Sequence, residues 1–243
     1  VFAEPTLVII PAFNEAGALP AVLGRLRAAA PELDVLVVDD GSRDGTARMA
    51  AQHGVRVARL PYNLGVGGAL QTGFRYAVRN GYRRAVQLDA DGQHDPAQLR
   101  TLLAELDRGA DLVVGSRFAT GEHVYRAGFA RRRAMGALRL ALHLLAGSRF
   151  TDTSSGFRAF SRPMLEFFAQ TYPTEFMSDT VEALLLACYG GFTVVEVPVR
   201  MQQRSQGVAS HGGVRLLYQY VRLVLVLAAM ASPRRRASRR ATT

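Results

Sequence analysis

The sequence has no lysine, and a single cysteine, Cys188, in 243 residues. Each shortage removes a chemistry. Without lysine there is no phosphate-loop ammonium, no Schiff base and no lysine general base. One cysteine excludes an internal disulfide and any multi-cysteine zinc site, which fits a reducing, cytoplasmic setting. The five histidines (His53, His94, His123, His143, His211) show no paired metal-ligand spacing. The opening Val1-Phe2-Ala3-Glu4-Pro5 lacks the charged-then-apolar layout of a signal peptide.

What is there is arginine. The formal net charge of +10 is carried entirely by it. Such an excess points to anionic partners: phosphates of small molecules, anionic lipid or nucleic acid. A hydrophobic content of 49% over this length is ample for a packed core.

Apolar runs and helical periodicities alternate through the first 117 residues. Thr6-Leu7-Val8-Ile9-Ile10 reads as a buried strand. Leu19, Val22, Leu23 and Leu26 then repeat at i, i+3, i+4, i+7, one apolar face of a helix ending by Pro31. Val35–Val38, Val55–Ala58, Val86–Leu88 and Asp111–Arg117 read as further strands, with helical segments between them. This is the pattern of an α/β fold with a mostly parallel central sheet covered by helices on both faces. In such sheets ligands bind outside the carboxyl ends of the strands.

Every unusual polar cluster in this half follows a strand: Glu15, Asp39 and Asp40, Asn63, Asp89 and Asp91, Arg117. Asp89 and Asp91, separated by one residue and followed by Gly92, can converge on one hard cation that takes oxygen ligands. Asp95, followed by Pro96 and an apolar-periodic segment, is better explained as a helix cap. Gly65-Val66-Gly67 could open a helix N-terminus to phosphate or simply pack tightly.

The second half differs. Arg131-Arg132-Arg133 precedes a helical pattern, and Asp152–Phe160 is a polar, glycine-containing loop running into a strand. Asp179–Tyr189 reads as a helix with Asp179 and Glu182 on its first turns, where acids complement the dipole or face a site. Thr193–Val199 reads as a strand, followed by a basic loop through Arg200 and Arg204. From Leu216 to Ala231 the chain is apolar except for Gln219 and Arg222, 16 residues against the roughly 20 needed to span a bilayer. Arginines 234, 235, 236, 239 and 240 follow. An apolar helix with a polybasic tail suits an anionic membrane surface, and a helix docked on the core with a soluble tail is the alternative. The expected organisation is a catalytic domain over 1–212, an apolar C-terminal helix over 213–231 and a basic tail over 232–243.

Taken together, Ile10-Pro-Ala-Phe-Asn-Glu15, Val38-Asp-Asp-Gly-Ser-Arg-Asp-Gly-Thr46, Asn63-Leu-Gly-Val-Gly67, Leu88-Asp-Ala-Asp-Gly-Gln93, Gly115-Ser-Arg117, Thr153-Ser-Ser-Gly-Phe-Arg158 and Val195-Glu-Val-Pro198 resemble the family 2 glycosyltransferases with the GT-A (Rossmann-like) fold. Within that family they are similar to the polyprenol-phosphate (dolichol-phosphate) mannose and glucose synthases. The resemblance implies that Pro11, Phe13, Glu15, Asp39 and Asp40 hold the nucleoside of a sugar nucleotide. It implies that Asp89, Asp91 and Gln93 hold Mg²⁺ or Mn²⁺ on the diphosphate. Arg117, Arg132, Arg200 and Arg204 would face the acceptor phosphate and leaving group. Two departures stand out: Val208-Ala209-Ser210-His211 replaces the family's basic residue in the late loop, and the transmembrane helices of many relatives are reduced to one short segment.

The expected activity is inverting transfer of a hexose from a donor of GDP-mannose or UDP-glucose type to a polyprenyl phosphate, at the inner face of the membrane. A hydroxyl acceptor is the alternative, and Asp179 would then be the candidate base. An arginine-rich nucleic-acid-binding protein is the reading of another class. Against it, the arginines form no single stripe and aromatic residues do not interleave with them.

Overall fold

The computed structural model describes residues 4–118, 150–153, 155–174 and 179–201. The triple arginine around Arg132, the loop beyond Met201 with Arg204, the C-terminal helix and the basic tail lie outside the described residues. Contacts group 1–122 with 151–208 as one compact unit, and the fold below is that unit.

The strands are β1 (Thr6–Ala12), β2 (Asp34–Asp39), β3 (Arg56–Arg59), β4 (Arg84–Gln87), β5 (Leu112–Ser116), β6 (Arg158–Phe160) and β7 (Val194–Pro198). They form one sheet in the order β3-β2-β1-β4-β6-β5-β7. All neighbours are parallel except β6, which runs antiparallel to both β4 and β5. The helices are α1 (Leu19–Ala29), α2 (Thr46–Gln52), α3 (Gly65–Arg79), α4 (Leu99–Asp107), α5 (Arg162–Thr171) and α6 (Asp179–Tyr189).

Side chains alternate across a strand, so each strand feeds two cores. Val8, Ile10, Val37, Val86 and Val113 pack with Leu19, Val22, Leu23 and Leu26 of α1 and Leu99, Leu102 and Leu103 of α4. Leu7, Ile9, Leu36, Val38, Leu112, Val114 and Phe160 face the other way, onto Leu70 and Phe74 of α3, Met164, Leu165 and Phe168 of α5 and Leu184 of α6. Burial on both faces explains why β1 reads as an unbroken apolar run rather than an alternation. In α6 Cys188 is half-buried, and Ala183 and Ala187 are fully buried.

Two features of this topology place the site. The chain leaves β1 toward β2 and β3 on one side, and from β4 it moves to the other, so the β1 and β4 exits flank the switch point where α/β sheets open a crevice. Because β6 is antiparallel, it begins at the edge where the parallel strands end. The polar segment before Arg158 therefore lies beside the exits of β4 and β5.

Candidate active site

The exits of β1 and β2 are stitched together by short side chains. The backbone N–H groups of Asn14, Glu15 and Ala16 donate to Ser42 Oγ (2.9 Å), Thr46 Oγ1 (2.9 Å) and Asp44 Oδ2 (3.0 Å). Asn14 sits at φ +56°, and its Oδ1 accepts from the Arg43 N–H. Ser42, Asp44 and Thr46 thus satisfy a turn whose amides have no ladder partner. Burial opposes ionisation of Asp44, but the Thr46 hydroxyl and the Ala16 and Thr46 amides outweigh it and hold the carboxyl below its usual range. Phe13 stands 45% exposed beside this turn. Pro11 lies within β1 in register with Val38.

Asp39 and Asp40 divide their work. Asp39 is buried; its Oδ1 accepts from the Ser42 N–H at 3.0 Å, while Oδ2, 3.5 Å from the Arg59 guanidinium, has no hydrogen-bond partner. Asp40 places Oδ1 on the Leu64 N–H (2.7 Å) and Oδ2 on the Gly65 N–H (2.8 Å), capping α3 from a distance. Burial raises the Asp40 carboxyl above its usual range, those two amides oppose the rise, and neighbouring Asp39 adds to it. Gly41 is required here: at φ +74°, a Cβ would lie 2.7 Å from the Tyr62 carbonyl carbon. Asp39, Ser42, Arg43, Thr46, Arg48 and Arg59 line an open hollow of about 690 Å³. Another, of about 410 Å³, lies where β2 and β3 begin, at the opposite end of the sheet.

The carboxylate turn follows β4. Gln87 Nε2 donates to Asp89 Oδ1 at 3.2 Å, and the Gln93 N–H donates to Asp91 Oδ1 at 3.0 Å. Arg25 of α1 reaches across to the Gly92 carbonyl at 2.8 Å. Gly156, just before β6, closes the other side: a Cβ there would stand 2.6 Å from Asp89 Oδ2 and 2.9 Å from Oδ1. There is no room for a side chain at 156, and the Asp89 carboxylate between Gln87 and His94 remains 35% exposed. Asp95 caps the turn leading to α4 through its Oδ1 and the Ala97 N–H, as expected.

His94 completes the turn. Its ring is buried, stacked on Phe157 at 4.9 Å, and its Nδ1 accepts from the Asp89 N–H at 3.1 Å. The neutral ring therefore carries its proton on Nε2, which faces Asp89 Oδ2 at 3.6 Å. With both nitrogens so engaged, His94 braces Asp89. Among the described residues no group of three His, Cys, Asp or Glu side chains is set to hold a metal. Two hard carboxylates with Gln93 beside them fit a divalent ion that completes its shell with water and substrate phosphate oxygens, as Mg²⁺-type sites do.

The third part is a chain of charges. Arg117, just past β5, makes a two-pronged ion pair with Asp152, Nε to Oδ2 at 2.6 Å and Nη2 to Oδ1 at 2.8 Å, and Asp152 is fully buried. Glu196 of β7 in turn accepts from the Thr151 and Asp152 N–H groups at 2.7 and 2.8 Å. Arg158, also fully buried, donates to the Ser155 carbonyl (2.9 Å) and to the Thr180 carbonyl at the start of α6 (3.0 Å). Asp179 opens that helix; its side chain, like Arg132, lies outside what is described.

The sequence by itself assigns no role to Asp152 or His94, and carries Glu196 only within a motif. The signal for Glu196 was present: an acid inside the apolar strand Val-Val-Glu-Val-Pro must meet a donor.

A mostly parallel sheet with one antiparallel strand, and with acids at its switch point, is a glycosyltransferase fold of GT-A type. The chain belongs to glycosyl transferase family 2, whose family model matches residues 7–168. It is 36% identical to a polyprenol monophosphomannose synthase of Mycolicibacterium smegmatis over 217 residues, 86% of this chain and 82% of that one. It is 38% identical to an undecaprenyl-phosphate mannosyltransferase of Micrococcus luteus over 213 residues, 85% and 87% of the two chains. Among solved structures it resembles glucosyl-3-phosphoglycerate synthase from Mycobacterium tuberculosis in complex with Mn²⁺, UDP and glucosyl-3-phosphoglycerate, with a TM-score of 0.65, 20% identity and coverage of 94% and 80%.

Proposed function

We propose that this glycosyltransferase moves a hexose, with inversion, from a nucleoside-diphosphate sugar of GDP-mannose or UDP-glucose type to a polyprenyl phosphate. The observation that carries the donor half is the Gly156 cradle, where the absence of a side chain at 156 leaves room for the Asp89 carboxylate, still 35% exposed, two residues from Asp91. The acceptor half is supported by the polyprenyl-phosphate chemistry in the names of the two bacterial relatives.

In this reading Phe13 and Oδ2 of Asp39, which has no hydrogen-bond partner, receive the nucleoside, with Pro11, Glu15 and Asp40 shaping the turn around it. Asp89, Asp91 and Gln93 hold Mg²⁺ or Mn²⁺. When bound, that ion neutralises charge growing on the departing diphosphate. Arg117, Arg132, Arg200 and Arg204 bind the acceptor phosphate and the leaving group through charge-assisted hydrogen bonds. An acceptor phosphate oxygen forms the new bond to the anomeric carbon. The bond from that carbon to the diphosphate oxygen breaks, and the nucleoside diphosphate departs with the electron pair. A phosphate monoester, with a second pKa near roughly 6, is largely dianionic at neutral pH and needs no base.

The C-terminal segment 213–231 and the arginines after it are proposed to bring the enzyme to the cytoplasmic, anionic membrane surface. Among the described residues no helix is long and apolar enough to cross a membrane.

Two measurements test the reading. Thermal shift with GDP, UDP and dTDP, each with and without Mn²⁺, is expected to show stabilisation by one nucleotide that needs the ion; none from any of them rejects the donor assignment. Transfer to undecaprenyl phosphate is expected to survive Asp179→Asn. Loss of turnover in that variant, with transfer to a hydroxyl acceptor in the wild type, would favour Asp179 as a base.

A further inference from the structure

We propose that Gln98 is a positioning residue that fixes Arg200 for its anionic ligand, coupling the carboxylate turn to the basic exit of β7. The inference rests on the assignment of Arg200 to that ligand under Proposed function. Its starting point is a contact between residues 102 apart: Gln98 Nε2 donates to the Arg200 carbonyl at 2.7 Å, and the Arg200 N–H donates to Gln98 Oε1 at 2.7 Å. One side-chain amide thus satisfies both backbone groups of a single residue, as a neighbouring strand would.

The next residue is tied to the same segment. Met201 forms an isolated antiparallel bridge with His94. β7 ends at Pro198 and the Val199 N–H still donates to the Ser116 carbonyl of β5, so from Arg200 onward the described chain is held by Gln98 and His94. Gln98 is itself well fixed: its N–H donates to the Asp95 carbonyl at 3.0 Å, and it closes the tight turn Pro96–Gln98 that Asp95 caps. At its other end the same stretch carries Asp89 and Asp91. His94 holds the Asp89 amide, and its ring rests on Phe157.

Asp89, Asp91 and Arg200 are therefore mounted on one brace, ten residues long from Asp89 to Gln98. The ligand this arrangement suits is a diphosphate gripped by cations from both sides, a metal ion on the carboxylates and the Arg200 guanidinium from just past β7. Holding the Arg200 backbone in advance removes part of the ordering cost of that grip. Gln98 itself touches neither the carboxylates nor the reacting atoms.

The test is a double-mutant cycle read by calorimetry on the full chain, with Mn²⁺ plus GDP or UDP, whichever binds the wild type. Arg200→Ala is expected to raise Kd about tenfold, the loss of a charge-assisted contact. Gln98→Met, close in shape and without the amide, should raise it about fivefold, and Gln98→Glu, which keeps the acceptor for the Arg200 N–H, should fall between it and the wild type. The double variant Gln98→Met with Arg200→Ala should bind no worse than Arg200→Ala alone, because Gln98 acts through Arg200.

Binding of Mn²⁺ alone, followed by paramagnetic resonance, should be unchanged in Gln98→Met. Additive losses in the double variant, or an unchanged Kd in Gln98→Met, would overturn the proposal. So would a matching loss of affinity for Mn²⁺ alone, since Gln98 would then act on the carboxylate turn. If Arg200→Ala leaves Kd unchanged, the assignment of Arg200 fails first, and the inference with it.

Discussion

The two flanks of the crevice are built differently. On the β1–β3 flank, side-chain oxygens of Ser42, Asp44 and Thr46 accept from backbone amides 28 to 31 residues away. On the β5–β7 flank, Arg117 pairs with the fully buried carboxylate of Asp152, whose backbone N–H is held in turn by Glu196. An amide that loses an acceptor near the surface can turn to water. A buried charge that loses its partner cannot. Changes on the first flank should therefore stay local, and changes on the second should spread.

The largest effect is expected where the flanks meet. Asp89→Asn should lower turnover about a thousandfold by weakening charge stabilisation of the leaving diphosphate, and it should abolish the Mn²⁺-dependent thermal shift. The melting temperature without ligand should hardly change, since Asn can still accept from Gln87. Full activity in this variant would end the metal reading and remove the meeting point on which the comparison rests.

Next comes the chain of charges. Asp152→Asn should lower turnover about a hundredfold and destabilise the fold by about 3 kcal/mol, the typical penalty for breaking a buried ion pair. If Asp152 serves only to aim Arg117, adding Asp152→Asn to Arg117→Ala should cost little further activity. Independent, multiplying losses would show that the charges do not act as a unit, and the contrast between the flanks would dissolve.

Gly156→Ala probes the cradle from the β6 side. Its Cβ would meet both Asp89 oxygens and come within 3.0 Å of Gln87 Nε2, so the carboxylate must swing away. Turnover should fall about tenfold, the cost of a small misplacement of a catalytic group, with Kd for Mn²⁺ rising in parallel. Unchanged Mn²⁺ binding would show that the carboxylate has room that the structure denies it.

The same contrast governs how much the sequence revealed. β1 and β2 with their exits were legible because each strand is a continuous apolar run that stops in polar residues, and α1 and α4 because their apolar positions recur at helical spacing. The carboxylate turn was legible for the same local reason. Asp152 was not, because nothing near it in sequence says that Arg117 waits 35 residues earlier. The antiparallel course of β6 was hidden too: three residues, Arg158–Phe160, are too few to show a direction or a partner. Helix α5 went unanticipated although Ser161 caps it and Pro163 stands in its first turn. Its start signal follows so short a strand that no periodic segment frames it. Gln98 carries no local signal, and only the folded chain brings Arg200 to it.

The smallest effect belongs to the stitched flank, and pH gives it a sign. Asp44 is held below its usual carboxyl range, against the pull of burial, by the Thr46 hydroxyl and the Ala16 and Thr46 amides. Between the folded value and the ordinary 3.8, the unfolded chain binds more protons than the folded one. The stability Asp44 contributes is therefore present above about 3.8 and is lost as pH falls through the lower, folded value. Asp44→Asn removes one of the two oxygens and leaves the Ala16 amide to water. Its melting temperature should lie slightly below the wild type at pH 6, and the gap should close in strong acid, where the wild-type carboxyl is itself protonated. Donor Kd should rise only about threefold, as expected for one exposed hydrogen bond. A gap that persists below the folded value would mean that Asp44 works through packing and not through its charge. A loss of donor binding as large as that of Asp89→Asn would mean that the first flank transmits damage as readily as the second.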